Sequence, residues 1–255
     1  MKKDIKAVIF DLDGTIYFGG DLAEGALELL EYLGGRNMEA YYLTNNSTKN
    51  RAQIHKKLKD MGISCSLDRV YSSVHIAARY LAENKMDDIY VVGSQSLKDE
   101  LVKAGLRVTE EESEAAILLI GLDTKIDYEE ITRAGWAALN CGKIVVCNLD
   151  QNFPGDQKKL YPGCGAIVAA IMTTTGREPD VIIGKPSTLM VEYLAAEHDL
   201  DREEILMVGD GYGTDIAMAK AYGCRSVYVG EEIHPDTLCV RELKEILPLF
   251  NKGLL

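Results

Sequence analysis

The stretch Ala7-Val8-Ile9-Phe10-Asp11-Leu12-Asp13-Gly14-Thr15 decides the reading of this chain. Four apolar residues in a row suit a short strand buried on both faces, as in a parallel sheet covered by helices. Two carboxylates one residue apart follow directly. On an extended backbone they point roughly the same way. Together they can bind a hard divalent cation, or divide the work of nucleophile and general acid/base. Gly14 permits the tight turn that follows. D-x-D alone also fits a solvated acidic turn; the apolar strand before it and the G-T after it argue for a site.

Strand–helix alternation continues outward from this stretch. Ala26 to Leu33 has helical spacing, with Gly34-Gly35 ending it, and Tyr41-Tyr42-Leu43 reads as the next strand. Asn50 to Met61 is a polar helix closed by Gly62. Such βαβα order predicts an α/β fold with a parallel sheet. The pattern returns at Val181-Ile182-Ile183, at Ile205 to Val208 and at Ser226 to Val229. Between these strands the spacing predicts helices from Ser187, as N-cap, to His198 and from Asp215 to Tyr222, with a closing helix from Cys239 to Phe250. A separate α/β block lies between the halves, with strands near Ile89, Ala116 and Ile144 and helices near Leu97 and Tyr128. The expected division is a core of residues 1–79 and 181–255 with an inserted domain at 80–180.

Three further stretches carry chemistry, each after a strand predicted for the core. In open parallel sheets, ligands bind beyond the carboxyl ends of the strands. Thr44-Asn45-Asn46-Ser47 offers hydroxyl and amide donors at a strand-to-helix turn, where a phosphoryl oxygen or plain helix capping would use them. Gly184-Lys185-Pro186 places one positive charge at a strand end. In Gly209-Asp210-Gly211-Tyr212-Gly213-Thr214-Asp215, Asp210 stands where a metal ligand is needed. Asp215 could orient a metal-bound water, hold Lys185, or serve as the acidic residue of a helix start. An oxygen-only set suits Mg²⁺ better than Zn²⁺.

Composition removes other classes. The 255 residues are 47% hydrophobic and 27% charged, ordinary for a soluble globular protein. A net charge of −12 argues against nucleic-acid and anionic-membrane partners. No run is long enough to span a bilayer, and the N-terminal residues do not read as a signal peptide, so a cytoplasmic protein is expected. The six cysteines are scattered, without metal-binding spacing, and read as buried small hydrophobes. His75, His198 and Trp136 fall in predicted helices as structural residues, and His55 and His234 have no partner at a telling spacing.

In these four motifs the sequence resembles the haloacid dehalogenase (HAD) superfamily, and more narrowly its NagD-like, para-nitrophenylphosphatase-like branch. T-N-N-S at 44–47 is characteristic of that branch. So is Leu160-Tyr161-Pro162-Gly163-Cys164-Gly165-Ala166-Ile167-Val168, followed by Thr175-Gly176-Arg177-Glu178-Pro179. The resemblance covers essentially the whole chain. It implies a Rossmann-like core with an inserted α/β cap, and a Mg²⁺-dependent phosphatase acting on a small phosphorylated metabolite of nucleotide, sugar phosphate, phosphoglycolate or pyridoxal phosphate type. By resemblance Asp11 is nucleophile and metal ligand. Asp13 is acid/base, and its backbone carbonyl is a metal ligand. Thr44, Asn45 and Lys185 hold phosphoryl oxygens, with Asn46 of the same turn a further phosphate-binding candidate from its amide; Asp210 binds Mg²⁺ and Asp215 supports that shell.

The chain departs from the family pattern in three places. It lacks a proline near Glu24. The usual T-N-x-D of the cap reads Cys147-Asn148-Leu149-Asp150, with Asn148 and Asp150 as candidate specificity residues. The cap loop from Asp150 to Gly163 carries Phe153, Lys158 and Lys159. These differences touch substrate choice rather than chemistry. Cys164 reads as packing, and Tyr17 and Phe18 as residues shaping the entrance. Relatives often dimerise through the cap, so the resemblance leaves a homodimer open. A phosphomutase would keep the same nucleophile, but the cap type argues against it. A dehalogenase would not need Asp13, a phospho-accepting receiver would be about half as long, and a non-catalytic binding module should have lost a catalytic group.

Overall fold

A computed structural model describes residues 3–154 and 159–255. The described residues cluster into two compact units. The first comprises Met1–Thr44, Ala52–Tyr71 and Lys185–Leu255, the second Asn45–Arg51 and Ser72–Gly184.

The first unit is built on a six-stranded sheet in the order Leu238–Val240, Arg225–Val229, Ile205–Gly209, Ala7–Phe10, Glu39–Thr44, Val70–Ser72. Ala7–Phe10 pairs in parallel with a strand on each side, so that Phe10 sits opposite Val208 and Tyr42. All four of its residues are fully buried, which explains why the stretch is continuously apolar instead of alternating. Leu29 and Leu33 of helix Ala26–Gly35 and Ile54 and Leu58 of helix Arg51–Asp60 join Val8, Phe10 and Tyr42 in one core. Just after the first motif, Tyr17–Phe18 and Asp21–Leu22 form a short antiparallel flap.

The second unit has its own parallel sheet, in the order Val181–Ile182, Lys143–Val146, Ile117–Ile120, Ile89–Val92, Val108–Thr109. Helices Tyr128–Asn140 and Cys164–Thr175 share its core. The small residues Ala134, Ala137 and Ala138 on one helix lie with Ile167 and Ile171 of the other. Asn152–Pro154 and Leu160–Pro162 form a hairpin, and residues 155–158 of the cap loop, Lys158 included, lie outside the described residues. No helix of the described residues is long and apolar enough to cross a membrane.

The compact second unit is wider than the 80–180 interval expected from alternation. Helix Ser73–Glu83 goes with it, with His75 3.7 Å from Glu100 of helix Gln95–Lys103. Ser47 ties the segment Asn45–Arg51 to it: its hydroxyl accepts from the Leu122 amide at 2.9 Å, and its carbonyl accepts from Ser94 at 3.2 Å.

Four local expectations are corrected. Val181–Ile182 belongs to the second sheet and not to the core sheet, because Asp180 and Ile183 donate backbone bonds to Ile144 and Val146 there. Cys239 lies in the edge strand Leu238–Val240, which takes up the apolar residues read as the start of a helix; the closing helix is only Ile246–Asn251. Ser187 is not the cap of the helix before His198, which runs Leu189–Glu197 with Thr188 before it. The segment from residue 212 begins as a π-helical turn, Tyr212–Ile216, and becomes α-helical only at Ala217–Tyr222.

Candidate active site

Asp11 leaves the central strand at its carboxyl end, its amide donating to Val208 O at 2.9 Å. Lys185 reaches it from a distant part of the chain: the ammonium donates to Asp11 Oδ1 and to Asp215 Oδ1, each at 2.5 Å. Lys185 and Asp215 are 3% and 1% exposed, so this is a buried charge triad and not a surface pair. The other Asp215 oxygen accepts from the Gly211 amide at 2.9 Å. Asp210 Oδ1 accepts from Thr15 Oγ1 at 3.0 Å, which ties the first motif to the fourth.

Two glycines make the approach feasible. Gly14 has φ +97°, and a Cβ there would lie 2.3 Å from Asp210 Oδ2. A Cβ on Gly209 would lie 2.4 Å from the Asp215 carboxylate. Gly211 O accepts from the amides of Thr214, Asp215 and Ile216, so one peptide gathers the whole turn.

Asp11, Asp210 and Asp215 offer oxygens that all lie within 4.8 Å of one another. Three carboxylates therefore share one ammonium, and burial makes the excess charge costly. Burial pushes Asp11 up to about 6; Lys185 opposes the shift and Asp210 adds to it. Burial pushes Asp215 up to about 6 as well, against Lys185 and with Asp11. Asp210 is also raised, by burial first and then by Asp215. Burial works against the charge on Lys185, but Asp11 and Asp215 outweigh it and hold the ammonium above its ordinary value. A net-negative, all-oxygen cluster of this kind fits a hard divalent cation.

Asp13 stands apart from this cluster. Its side chain is 58% exposed, accepts from the Tyr17 hydroxyl at 3.2 Å and lies 4.0 Å from the Lys57 ammonium. Lys57 in turn sits 3.4 Å from the centre of the Tyr17 ring. Tyr17 is buried while Phe18 is 60% exposed. Thr44 ends its strand as a buried hydroxyl of the first unit.

Asn45 and Asn46 belong to the second unit. Asn45 Nδ2 donates to Asp150 at 3.1 Å, and its carbonyl accepts from Asn148 Nδ2 at 2.7 Å and Ser73 Oγ at 2.9 Å. Asn46 Oδ1 accepts from the Thr48 and Lys49 amides at 3.0 Å, which is a turn-forming role. The cap candidates Asn148 and Asp150 thus form one network with the phosphate-binding candidate Asn45, whereas Asn46 shapes the turn. Cys164 is buried, directs its thiol to Ile120 O at 3.7 Å and is pushed up to about 12 by burial, as a packing residue would be.

Sequence reading missed Lys57 and the Thr15–Asp210 bond. Lys57 sits in a helix with Lys56 and Lys59 and gives no signal of its own. Thr15 stands in the quoted motif, but only the folded chain pairs it with Asp210.

Comparison with known proteins agrees with this geometry. A family model for haloacid dehalogenase-like hydrolases matches residues 8–107, and a second, HAD-hydrolase-like, matches residues 182–246. An acid sugar phosphatase of Staphylococcus epidermidis is 34% identical over 252 residues, 98% of this chain and 95% of that protein. The p-nitrophenyl phosphatase structure from Archaeoglobus fulgidus superposes with a TM-score of 0.90 at 29% identity, over 96% of this chain and 99% of its own. A solved chain described as a nagD protein gives 0.90 at 28% identity, over 98% and 100%. Together with these relatives, the parallel-sheet α/β fold, the strand-end carboxylate cluster and the buried lysine identify a phosphoric monoester hydrolase. The chain belongs to the haloacid dehalogenase-like hydrolases, in their NagD-like, p-nitrophenylphosphatase-like branch.

Proposed function

We propose that this phosphatase hydrolyses small phosphate monoesters, sugar phosphates foremost, with Mg²⁺ and through a phosphoryl group carried on Asp11. The observation that carries the reading is the Asp11 carboxylate, held at the end of the central strand with Oδ1 on Lys185.

In the first step Asp11 Oδ2 attacks phosphorus as the bond to the ester oxygen breaks, and Asp13 gives that oxygen its proton. In the second, water attacks phosphorus, Asp13 takes its proton, and the bond to Asp11 breaks to free inorganic phosphate. Lys185 offsets charge on the phosphoryl oxygens, and the Thr44 hydroxyl donates to one of them. Asp11, Asp210 and the Asp13 carbonyl would hold Mg²⁺, with Asp215 supporting them. Mg²⁺ when bound neutralises phosphoryl charge and orients the group. Sugar phosphates are favoured because the Staphylococcus epidermidis relative is an acid sugar phosphatase.

The test is phosphate release from a panel of sugar phosphates, nucleotides, phosphoglycolate and pyridoxal phosphate, with Mg²⁺ and with chelator, alongside Asp11→Asn. The expected result is Mg²⁺-dependent release, highest on sugar phosphates, with turnover by the variant lower by at least ~10³-fold. Full activity in chelator would remove the cation from the reading, and full activity in the variant, with deamidation excluded, would remove the nucleophile.

A further inference from the structure

The turn that joins Asp210 to Asp215 is gathered by backbone bonds to Gly211 O, and its side chains add one further hold from outside the turn. Between the two aspartates lie Gly211, Tyr212, Gly213 and Thr214. The glycines have no side chain to anchor, and Thr214 bonds only locally, to Gly211 O at 3.4 Å. Tyr212 is the one long side chain of the turn, and it is clamped. The His234 ring lies nearly parallel to it, with centroids 3.6 Å apart and planes 14° apart. Tyr228 meets both rings edge-on, at 6.3 and 4.7 Å. The Tyr212 hydroxyl donates to Asp236 at 3.0 Å, and Lys220 donates both to that hydroxyl at 3.0 Å and to Asp236 at 2.5 Å. The Lys220 ammonium also lies 4.4 Å from the ring centre. His234 is held in its turn, its amide donating to Cys239 Sγ at 3.3 Å. His234 and Asp236 come from the loop between strands Arg225–Val229 and Leu238–Val240, Tyr228 from the first of those strands and Lys220 from helix Ala217–Tyr222, and no catalytic motif includes any of them.

We propose that Tyr212 and His234 are positioning residues: their stack sets the spacing of Asp210 and Asp215 and thereby the affinity of the carboxylate cluster for a divalent cation. The inference rests on the reading that Asp11, Asp210 and Asp215 surround such a cation. Ring stacking and cation–π contact give the clamp its strength. Groups that orient metal ligands without touching the metal commonly change its affinity by about tenfold or more when removed. Because Tyr212 acts through the peptide turn, a loss of about three- to tenfold is expected.

The test is Mn²⁺ binding to the full chain, read from the paramagnetic resonance of free Mn²⁺ and displaced by Mg²⁺. His234→Leu keeps apolar bulk without the ring, and His234→Phe restores a ring. Tyr212→Leu removes the other half of the stack. The expected result is weaker Mn²⁺ binding in both Leu variants and affinity within about twofold of wild type in His234→Phe. KM for p-nitrophenyl phosphate at saturating Mg²⁺ should not change in any of them. Wild-type affinity in both Leu variants, or a His234→Phe as weak as His234→Leu, overturns the clamp. Failure of the wild type itself to bind Mn²⁺ overturns the cation reading and the clamp with it.

Discussion

Asp11 and Lys185 show how one buried pair joins stability to chemistry. In the folded chain Asp11 titrates at about 6 against an ordinary 3.8. The native state therefore holds more protons than the unfolded one between those values. The stabilising contribution is complete below pH 3.8 and is lost as pH rises through 6. For the metal-free protein, Asp11→Asn removes this dependence. Its stability relative to wild type should improve by about 2 kcal/mol between pH 4 and pH 7 in denaturant titrations. A constant difference over that range would show that the carboxylate does not titrate as its burial requires. Lys185→Met leaves two buried carboxylates facing each other without their ammonium. It should destabilise the metal-free chain by about 3 kcal/mol at pH 7 and much less at pH 4, where the carboxylates are protonated. Equal losses at both pH values would contradict the charge argument.

At the scale of elements, the site depends on where strands stop and how closely the next turn can approach. Ile205–Gly209 ends in a glycine because Asp215 folds back onto it, with 2.4 Å left for a Cβ. Gly209→Ala should push the Asp215 carboxylate aside, and Lys185 with it. A shift of that order costs about 10²-fold in kcat/KM. Wild-type turnover in Gly209→Ala would mean that the turn relaxes without disturbing Asp215. The strand Val181–Ile182 teaches a different lesson. Its composition matches that of a core strand, and a run of apolar residues does not say which sheet it joins. Asp180 settles the matter, since its carboxylate accepts the Ile144 amide at 2.7 Å and its own amide donates to Ile144 O at 2.8 Å. Cys239 reads as helical for a related reason, because a three-residue strand is too short to show a period.

For the whole molecule, each unit has an apolar cluster and a sheet of its own, and the cluster of carboxylates belongs to the first. A cation that binds only the folded cluster stabilises it by mass action. Mg²⁺ should therefore slow amide hydrogen exchange in residues 7–11 and 205–216, and leave Ile117–Ile120 and Lys143–Val146 of the second sheet unchanged. Equal protection of both sheets would place the effect elsewhere. The six cysteines form no disulfide, so reductant should leave thermal unfolding unchanged.

The sequence by itself determined the parts whose signal is local. An apolar run followed by D-L-D-G-T, a lysine between glycine and proline, and two aspartates flanking a glycine-rich turn each announce their chemistry within a few residues. Their order along the chain was enough to predict a parallel α/β sheet and an inserted domain. Only the tertiary structure decided which groups meet. Lys185 lies 174 residues from Asp11, Thr15 lies 195 from Asp210, and His234 reaches Tyr212 from another loop. Local sequence records a residue's own backbone preferences and burial, whereas the partner across a sheet is chosen by topology and by the space that a missing Cβ leaves open.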